Sequence, residues 1–194
     1  KSTQDCCRNI TILFRYSLYL SMITRMFDIV AKRAQVLPGS VLLAAKENGN
    51  WRTYSSKETW DMSCSLCGGL LSLNLHNRVL EPEQQEKIAI ISPNRPEWLI
   101  TDVAVQMTGA VLTPLYPTIS PHEMEYILNE AEVRILFIAS KELYDRFKPA
   151  FDKVPTLEHV YSFDKIDGVE NWQDLKGKNL QPDQSIIDKI SEKT

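Results

Sequence analysis

The chain is poor in the features that usually announce a site. It has seven glycines, and none falls into G-x-G-x-x-G or G-x-x-x-x-G-K-[ST]. Neither backbone cradle for phosphate at a helix N-terminus is therefore present. Gly177-Lys178 comes nearest, but Asn179 follows it. Histidine occurs three times. His122-Glu123 opens like H-E-x-x-H, yet Tyr126 stands at the second histidine position, which excludes that zinc site. His122 reads as a solvated first-turn helix residue and His159 as a strand-end residue. No G-x-S-x-G elbow appears, and no pair of carboxylates is singled out for acid–base work. The sequence thus offers no catalytic residue and no metal ligand.

Excess positive charge is also lacking. Twenty-two Lys and Arg face 25 Asp and Glu, a net charge of −3, and no basic cluster forms a phosphate-tracking stripe. Nucleic-acid binding is set aside on that ground. Long apolar runs are scarce as well. Ile10–Ile23 is interrupted by Arg15 and is shorter than the roughly 20 residues a membrane span needs. It also has neither the basic start nor the small-residue cleavage site of a signal peptide. A peripheral membrane-contacting helix is the alternative reading of this stretch. Cysteine is limited to four residues. Cys64 and Cys67 form a C-x-x-C without a second pair. With Trp60 and Leu71 they fall at i, i+4, i+7 and i+11, the buried stripe of a helix, so core packing is the reading. Nothing calls for an oxidising compartment, and a cytoplasmic protein is expected.

What is present is an ordinary globular composition, 43% hydrophobic and 24% charged, enough for one α/β domain with a normal core. The chain is organised around Lys87–Ser140. Three apolar runs, Ile88–Ile91, Val111–Leu115 and Ile135–Ala139, are rich in β-branched residues and bounded by turn residues, as buried strands are. Between them, Asn94 is positioned to cap a helix with Pro96 in its first turn, running to Gly109. Ser120 starts a fuller capping box with Pro121 and Glu123. Met124, Ile127, Leu128 and Ala131 then give one apolar face. Alternating strands and helices with short links predict parallel strands. The fold class is α/β: a parallel sheet with flanking helices, plus a small antiparallel hairpin.

The hairpin is expected at Val41–Lys46 and Trp51–Tyr54, around Asn48-Gly49. Before it, Phe27, Val30 and Ala34 suit a short helix ended by Pro38-Gly39. After it, Ser55 and Glu58 form a capping box for a helix through Leu73. Leu143, Phe147 and Phe151 mark a further helix whose length Pro149 and Pro155 limit, and His159–Phe163 alternates as a strand. Asp164–Asn179 is polar and turn-rich, anchored by Trp172 and Leu175. Gln181–Thr194 reads as a docking helix or a linker.

In a doubly wound sheet, ligands gather beyond the carboxyl ends of the strands. Those ends carry Ser92-Pro93-Asn94-Arg95 and Tyr116-Pro117-Thr118. Capping and turn formation account for them without a ligand. The functional reading is a wall of a nucleotide or acyl site, with Asn94, Arg95, Tyr116 and Thr118 as substrate-binding candidates.

Three stretches carry a family resemblance: KENGNWRTYSSKE, AIISPNRPEW and QMTGAVLTPLYPTISPHEMEYILNEAEVRILF. From about Met26 to near Trp172 the chain resembles the N-terminal part of a bacterial long-chain fatty-acid–CoA ligase, a member of the adenylate-forming, AMP-binding superfamily. The resemblance implies activation of a fatty acid with ATP and Mg²⁺ to an acyl-adenylate, followed by transfer to CoA. The family's Ser/Thr/Gly-rich loop ending in Pro-Lys-Gly, its ribose-binding acidic residue and its C-terminal domain have no counterpart in these residues, so no catalytic residue is carried over. The expectation is a fragment, inactive alone, whose partners are fatty acid, ATP, CoA and the remainder of the same polypeptide. Residues 1–25 form an extension outside the resemblance, 26–180 the N-terminal α/β subdomain, and 181–194 a linker or the start of the next segment. The alternative is a standalone α/β binding or scaffold module without catalysis. A receiver would carry acidic residues where Ile91 leads to Ser92-Pro93, and a flavodoxin would carry a phosphate loop there. A homodimer, a peripheral membrane contact and the acyl-chain length stay open.

Overall fold

The computed structural model describes residues 25–47, 49–73, 75 and 85–175. The apolar run 10–23, Asn48 of the hairpin turn and the segment 181–194 lie outside the described residues. In chain order the elements are α1 (Met26–Val36), β1 (Val41–Glu47), β2 (Asn50–Ser55), α2 (Ser56–Ser72), β3 (Lys87–Ile91), α3 (Pro96–Thr108), β4 (Val111–Leu115), α4 (Pro121–Glu130), β5 (Ile135–Ile138), α5 (Lys141–Phe151), β6 (His159–Ser162) and β7 (Glu170–Asn171).

β3 to β7 form one parallel sheet in the order β4-β3-β5-β6-β7. β3 is central to the predicted trio: Ile88 lies opposite Leu112 of β4 and Ile135 of β5. All four residues of β5 and the last four of β3 are buried, which is why both read as continuous apolar runs rather than alternating ones. β1 and β2 pair antiparallel as a separate hairpin, with Gly49 in the left-handed region at φ 81°, where a Cβ would be strained. The two-residue strand β7 was not expected. It lies inside a polar, turn-rich stretch too short to show a period.

The helices follow their end signals in part. Ser120 and Glu123 make the full capping box at α4: the Ser120 N–H donates to Glu123 Oε2 at 2.7 Å, and the Glu123 N–H donates to Ser120 Oγ at 3.2 Å. Met124 and Leu128 are then buried, while Ile127 and Ala131 are half-buried. Gly109 ends α3 in the left-handed conformation. Asn94, however, does not cap α3. Arg95 holds the N-cap position with no side-chain cap bond, and Pro96 at the first helical position removes one N–H that would need a partner. Ser55 caps α2 through the Glu58 N–H at 3.1 Å, but the Glu58 carboxylate lies toward Arg52 at 3.7 Å. Pro149 does not stop α5, which runs on to Phe151. It sits in the last turn, where the missing N–H costs a single bond.

Cys64 and Cys67 are free and buried, as core packing requires. Burial pushes both thiols up to about 12, which leaves almost no reactive thiolate at neutral pH. The stripe is rotated from the expected one: Leu66 and Leu70 are fully buried, whereas Trp60 and Leu71 are half-buried. The buried hydroxyls of Thr59 and Ser63 donate to the carbonyls of Ser55 and Thr59, at 2.9 and 3.0 Å. Gly69 has a packing reason: a Cβ there would stand 1.7 Å from the Leu175 carbonyl oxygen. The buried pair Trp172 and Leu175 thereby closes the polar stretch directly onto α2.

Two outcomes are expected. Gly69→Ala should lower the unfolding free energy by about 1–3 kcal/mol or more, because backbone must move to admit the methyl group. The double change Cys64→Ala/Cys67→Ala should cost roughly 1–3 kcal/mol through lost packing, with zinc content unchanged. Denaturant titration and metal analysis of the purified variants check both. A destabilisation below 0.5 kcal/mol at Gly69 (about the scatter of surface substitutions) would contradict the close approach.

Candidate functional site

Parallel pairing sends the carboxyl ends of β3, β4, β5 and β6 to one edge of the sheet, so the loops leaving them converge. After Ile91, Ser92 is buried and donates its hydroxyl to the Pro93 carbonyl at 2.7 Å. Pro93 and Asn94 then turn out to solvent. Opposite them, Tyr116, Pro117 and Thr118 leave the end of β4. Between the two loops and Trp98 of α3 lies a cleft of about 570 Å³, within the roughly 300–1,000 Å³ of small-molecule sites. Its wall combines Pro93, Trp98, Pro114, Leu115, Tyr116 and Pro117 with the uncharged polar groups of Ser92, Asn94 and Thr118. Among the described residues no charged side chain lines it. A second cleft of about 440 Å³ lies between residues 93–97 and β1, lined by Lys46, Glu47, Arg95 and Glu97 among others.

The four candidate residues are therefore divided. Asn94, Tyr116 and Thr118 share the first cleft; Arg95 lines the second, together with Asn94, which borders both. Its guanidinium donates to both Glu97 oxygens (Nε to Oε2 at 2.8 Å, Nη2 to Oε1 at 3.1 Å), to Asp164 Oδ1 at 3.0 Å and to the Ala139 carbonyl at 3.3 Å. It also lies 5.4 Å from the centre of the Phe163 ring. One side chain thus ties the exit of β3 to the exits of β5 and β6. Burial alone would raise the Glu97 carboxyl, but the Arg95 hydrogen bonds and charge outweigh it and hold Glu97 below its usual range.

The residue at which sequence reasoning was silent is Arg146 on α5. Its Nη1 donates to the Pro117 carbonyl at 2.8 Å and its Nη2 to the Ile119 carbonyl. The Ile119 N–H closes the same turn on the Tyr116 carbonyl at 3.2 Å. No local signal could have found it, because the partners lie 27 and 29 positions away. At the opposite end of the sheet Arg134 joins Glu86 and Glu158, each at 2.6 Å.

Among the described residues no group of three His, Cys, Asp or Glu could hold a metal ion, and no helix is long and apolar enough to cross a membrane.

The sequence profile of the AMP-binding enzyme family matches residues 30–191. Long chain acyl-CoA synthetase 5 of Arabidopsis thaliana is 28% identical over 144 residues, which is 71% of this chain and 20% of that protein. A long-chain-fatty-acid–CoA ligase of Mycobacterium bovis is 26% identical over 123 residues, covering 63% of this chain and 19% of that protein. The chain spans about a fifth of the length of these curated relatives. Among solved structures, a long-chain-fatty-acid–CoA ligase from Archaeoglobus fulgidus superposes with a TM-score of 0.65 at 20% identity, covering 81% of this chain and 31% of that one. Acetoacetyl-CoA synthetase from Streptomyces lividans superposes with a TM-score of 0.66 at 18% identity, over 80% and 25% of the two chains. At such identities the superpositions speak for the fold alone.

The Arg95–Glu97 pair predicts a pH dependence. Glu97 has a lower pKa folded than unfolded, so its stabilising contribution is present above the unfolded value of about 4.3 and is lost as pH falls through the folded value. Arg95→Gln should cost about 1–3 kcal/mol at neutral pH, by leaving Glu97 half-buried without its partner. The difference from the parent protein should shrink as pH falls below about 4. Urea titrations of both proteins across pH 3 to 7 test this; a constant difference over that range would contradict it.

Proposed function

The chain belongs to the AMP-binding enzyme family, and we propose that it forms the N-terminal part of a long-chain fatty-acid–CoA ligase. The observation that carries the reading is the family match across residues 30–191, in a chain whose curated relatives include long-chain acyl-CoA synthetases. The whole protein would join a fatty-acid carboxylate to the α-phosphorus of ATP, releasing pyrophosphate. The thiol of CoA would then attack the acyl carbon and displace AMP. Residues 26–180 are the α/β subdomain in this reading, and the enzyme is a cytoplasmic one.

The uncharged cleft supports a place for this subdomain in the site. Its aromatic and proline wall suits a hydrocarbon chain, whose burial is worth about 0.8 kcal/mol per methylene. Asn94 and Thr118 supply the polar rim. Arg95 acts as the pin that holds the Asn94 loop, its charge already offset by Glu97 and Asp164. The described residues do not fit a triphosphate with Mg²⁺: the cleft has no cation in its wall and no metal-binding cluster stands near it. In this reading ATP, Mg²⁺ and CoA are therefore assigned to other parts of the protein.

The test is pyrophosphate release, assayed on residues 1–194 alone and on the full-length protein. The 194-residue chain should release none, with or without fatty acid. The full-length protein should form AMP and pyrophosphate only when a long-chain fatty acid is supplied, and acyl-CoA once CoA is added. Turnover by the 194-residue chain, or a full-length protein indifferent to fatty acids, would overturn the proposal.

A further inference from the structure

Tyr116 is 78% exposed, yet its position is over-determined. Pro114 and Pro117 flank it and fix their own φ angles. The Ile119 N–H closes the turn on the Tyr116 carbonyl at 3.2 Å. From a different helix, Arg146 donates its two terminal nitrogens to the carbonyls of Pro117 and Ile119. Exposed turns are ordinarily the mobile part of a fold and satisfy their carbonyls with water. This one is fastened at four points around a side chain that touches little protein. A rigid aromatic presented at a cleft costs little ordering entropy when it meets a ligand, which is what pre-organised recognition surfaces use.

We propose that Arg146 is a positioning residue for the cleft: by bridging the Pro117 and Ile119 carbonyls it holds the turn that presents Tyr116, and Tyr116 forms the aromatic wall against which the hydrocarbon chain of a fatty acid lies. The assignment rests on the ligase reading for its ligand, but the clamp itself rests on the hydrogen bonds alone. Arg146 is exposed and touches the core only through the Phe147 ring, whose centre lies 4.9 Å from its guanidinium, so its loss removes no buried side chain. Lysine cannot replace it fully, because an ammonium group lacks the planar fork that spans two carbonyls.

The experiment uses the full-length protein with Arg146→Ala, Arg146→Lys, Tyr116→Ala and the Arg146→Ala/Tyr116→Ala double variant. Steady-state kinetics are measured with palmitate and with ATP, and amide hydrogen exchange is followed at Ile119. Arg146→Ala should raise the palmitate KM about three- to tenfold, the scale of one lost charge-assisted hydrogen-bonded fixture. The ATP KM should hold and kcat should stay within about twofold, since the loss is one of ground-state and transition-state binding alike. Arg146→Lys should recover part of the change. In the Tyr116→Ala background, removing Arg146 should have no further effect on the palmitate KM, since it acts through that ring. Ile119 exchange should quicken in Arg146→Ala while the thermal midpoint barely moves. Unchanged Ile119 exchange overturns the clamp. A palmitate KM equal to the parent's, an equal rise in the ATP KM, or multiplicative effects in the double variant overturn the role in acyl binding. A full-length protein without ligase activity overturns the ligase reading and this ligand with it, and the exchange measurement then decides the clamp by itself.

Discussion

The parallel pairing of β3 between β4 and β5 is the constraint on which the rest depends. Because both neighbours run in the same direction, every link between these strands must cross from one end of the sheet to the other, and α3 and α4 occupy those crossings. The crossings cover β3 and β5, which are apolar nearly throughout, whereas the edge strand β4 is buried only at Leu115. Ile88, Ala89, Ile90 and Ile91, with Ile135, Leu136, Phe137 and Ile138, are at most 1% exposed. At about 1.5–3 kcal/mol for each large side chain, these two strands outweigh any single polar contact in the molecule. The same pairing collects all the strand exits at one edge. The cleft between Asn94 and Tyr116 follows from topology before any side chain is chosen.

What topology leaves loose, three arginines fasten. Arg95 ties the β3 exit to those of β5 and β6, Arg146 fixes the turn after β4, and Arg134 joins Glu86 to Glu158 at the amino end of the sheet. In each case the planar guanidinium meets two or more acceptors from separate nitrogens, a fixed fork that the compact ammonium of a lysine does not offer. The arrangement also accounts for the chemistry of the cleft. Arg95 and Arg146 are committed to carboxylates and carbonyls, and the wall that the described residues form is uncharged.

The remaining cover comes from α2, and it explains why a polar stretch packs at all. Residues 164–175 have few apolar side chains, yet Trp172 and Leu175 reach the core because Gly69 leaves room for the Leu175 backbone. The short strand β7 and the Asn171 bonds to the carbonyls of Phe163 and Asp164 at 3.3 Å complete this closure. The far end of the sheet is therefore held by backbone fit together with the buried side chains of Phe163, Trp172 and Leu175.

Local chemistry was legible wherever neighbours in sequence decide it. The apolar runs of β3, β4 and β5, the Ser120 capping box, Gly109 at the end of α3 and the buried cysteines of α2 all rest on contacts within a few residues, and their positions could be read from order alone. The family resemblance came from the same long, ordered stretches. The roles of the site residues could not be read in this way. Asn94 has the chemistry of a cap, but Pro96 and the reach of Arg95 to Asp164, 69 positions away, set the loop differently. Arg95 and Asn94 are adjacent in sequence and share the cleft beside β1, yet Asn94 also borders the cleft beside Tyr116, where Arg95 does not reach. Arg146 carries no local signal at all, because its meaning depends on α5 lying beside the turn after β4. Sequence alone determined every element but β7, and the family, since hydrophobic period and capping are short-range. Only the tertiary structure decided which charges are spent and which face stays open, since guanidinium partners are chosen by distance in space.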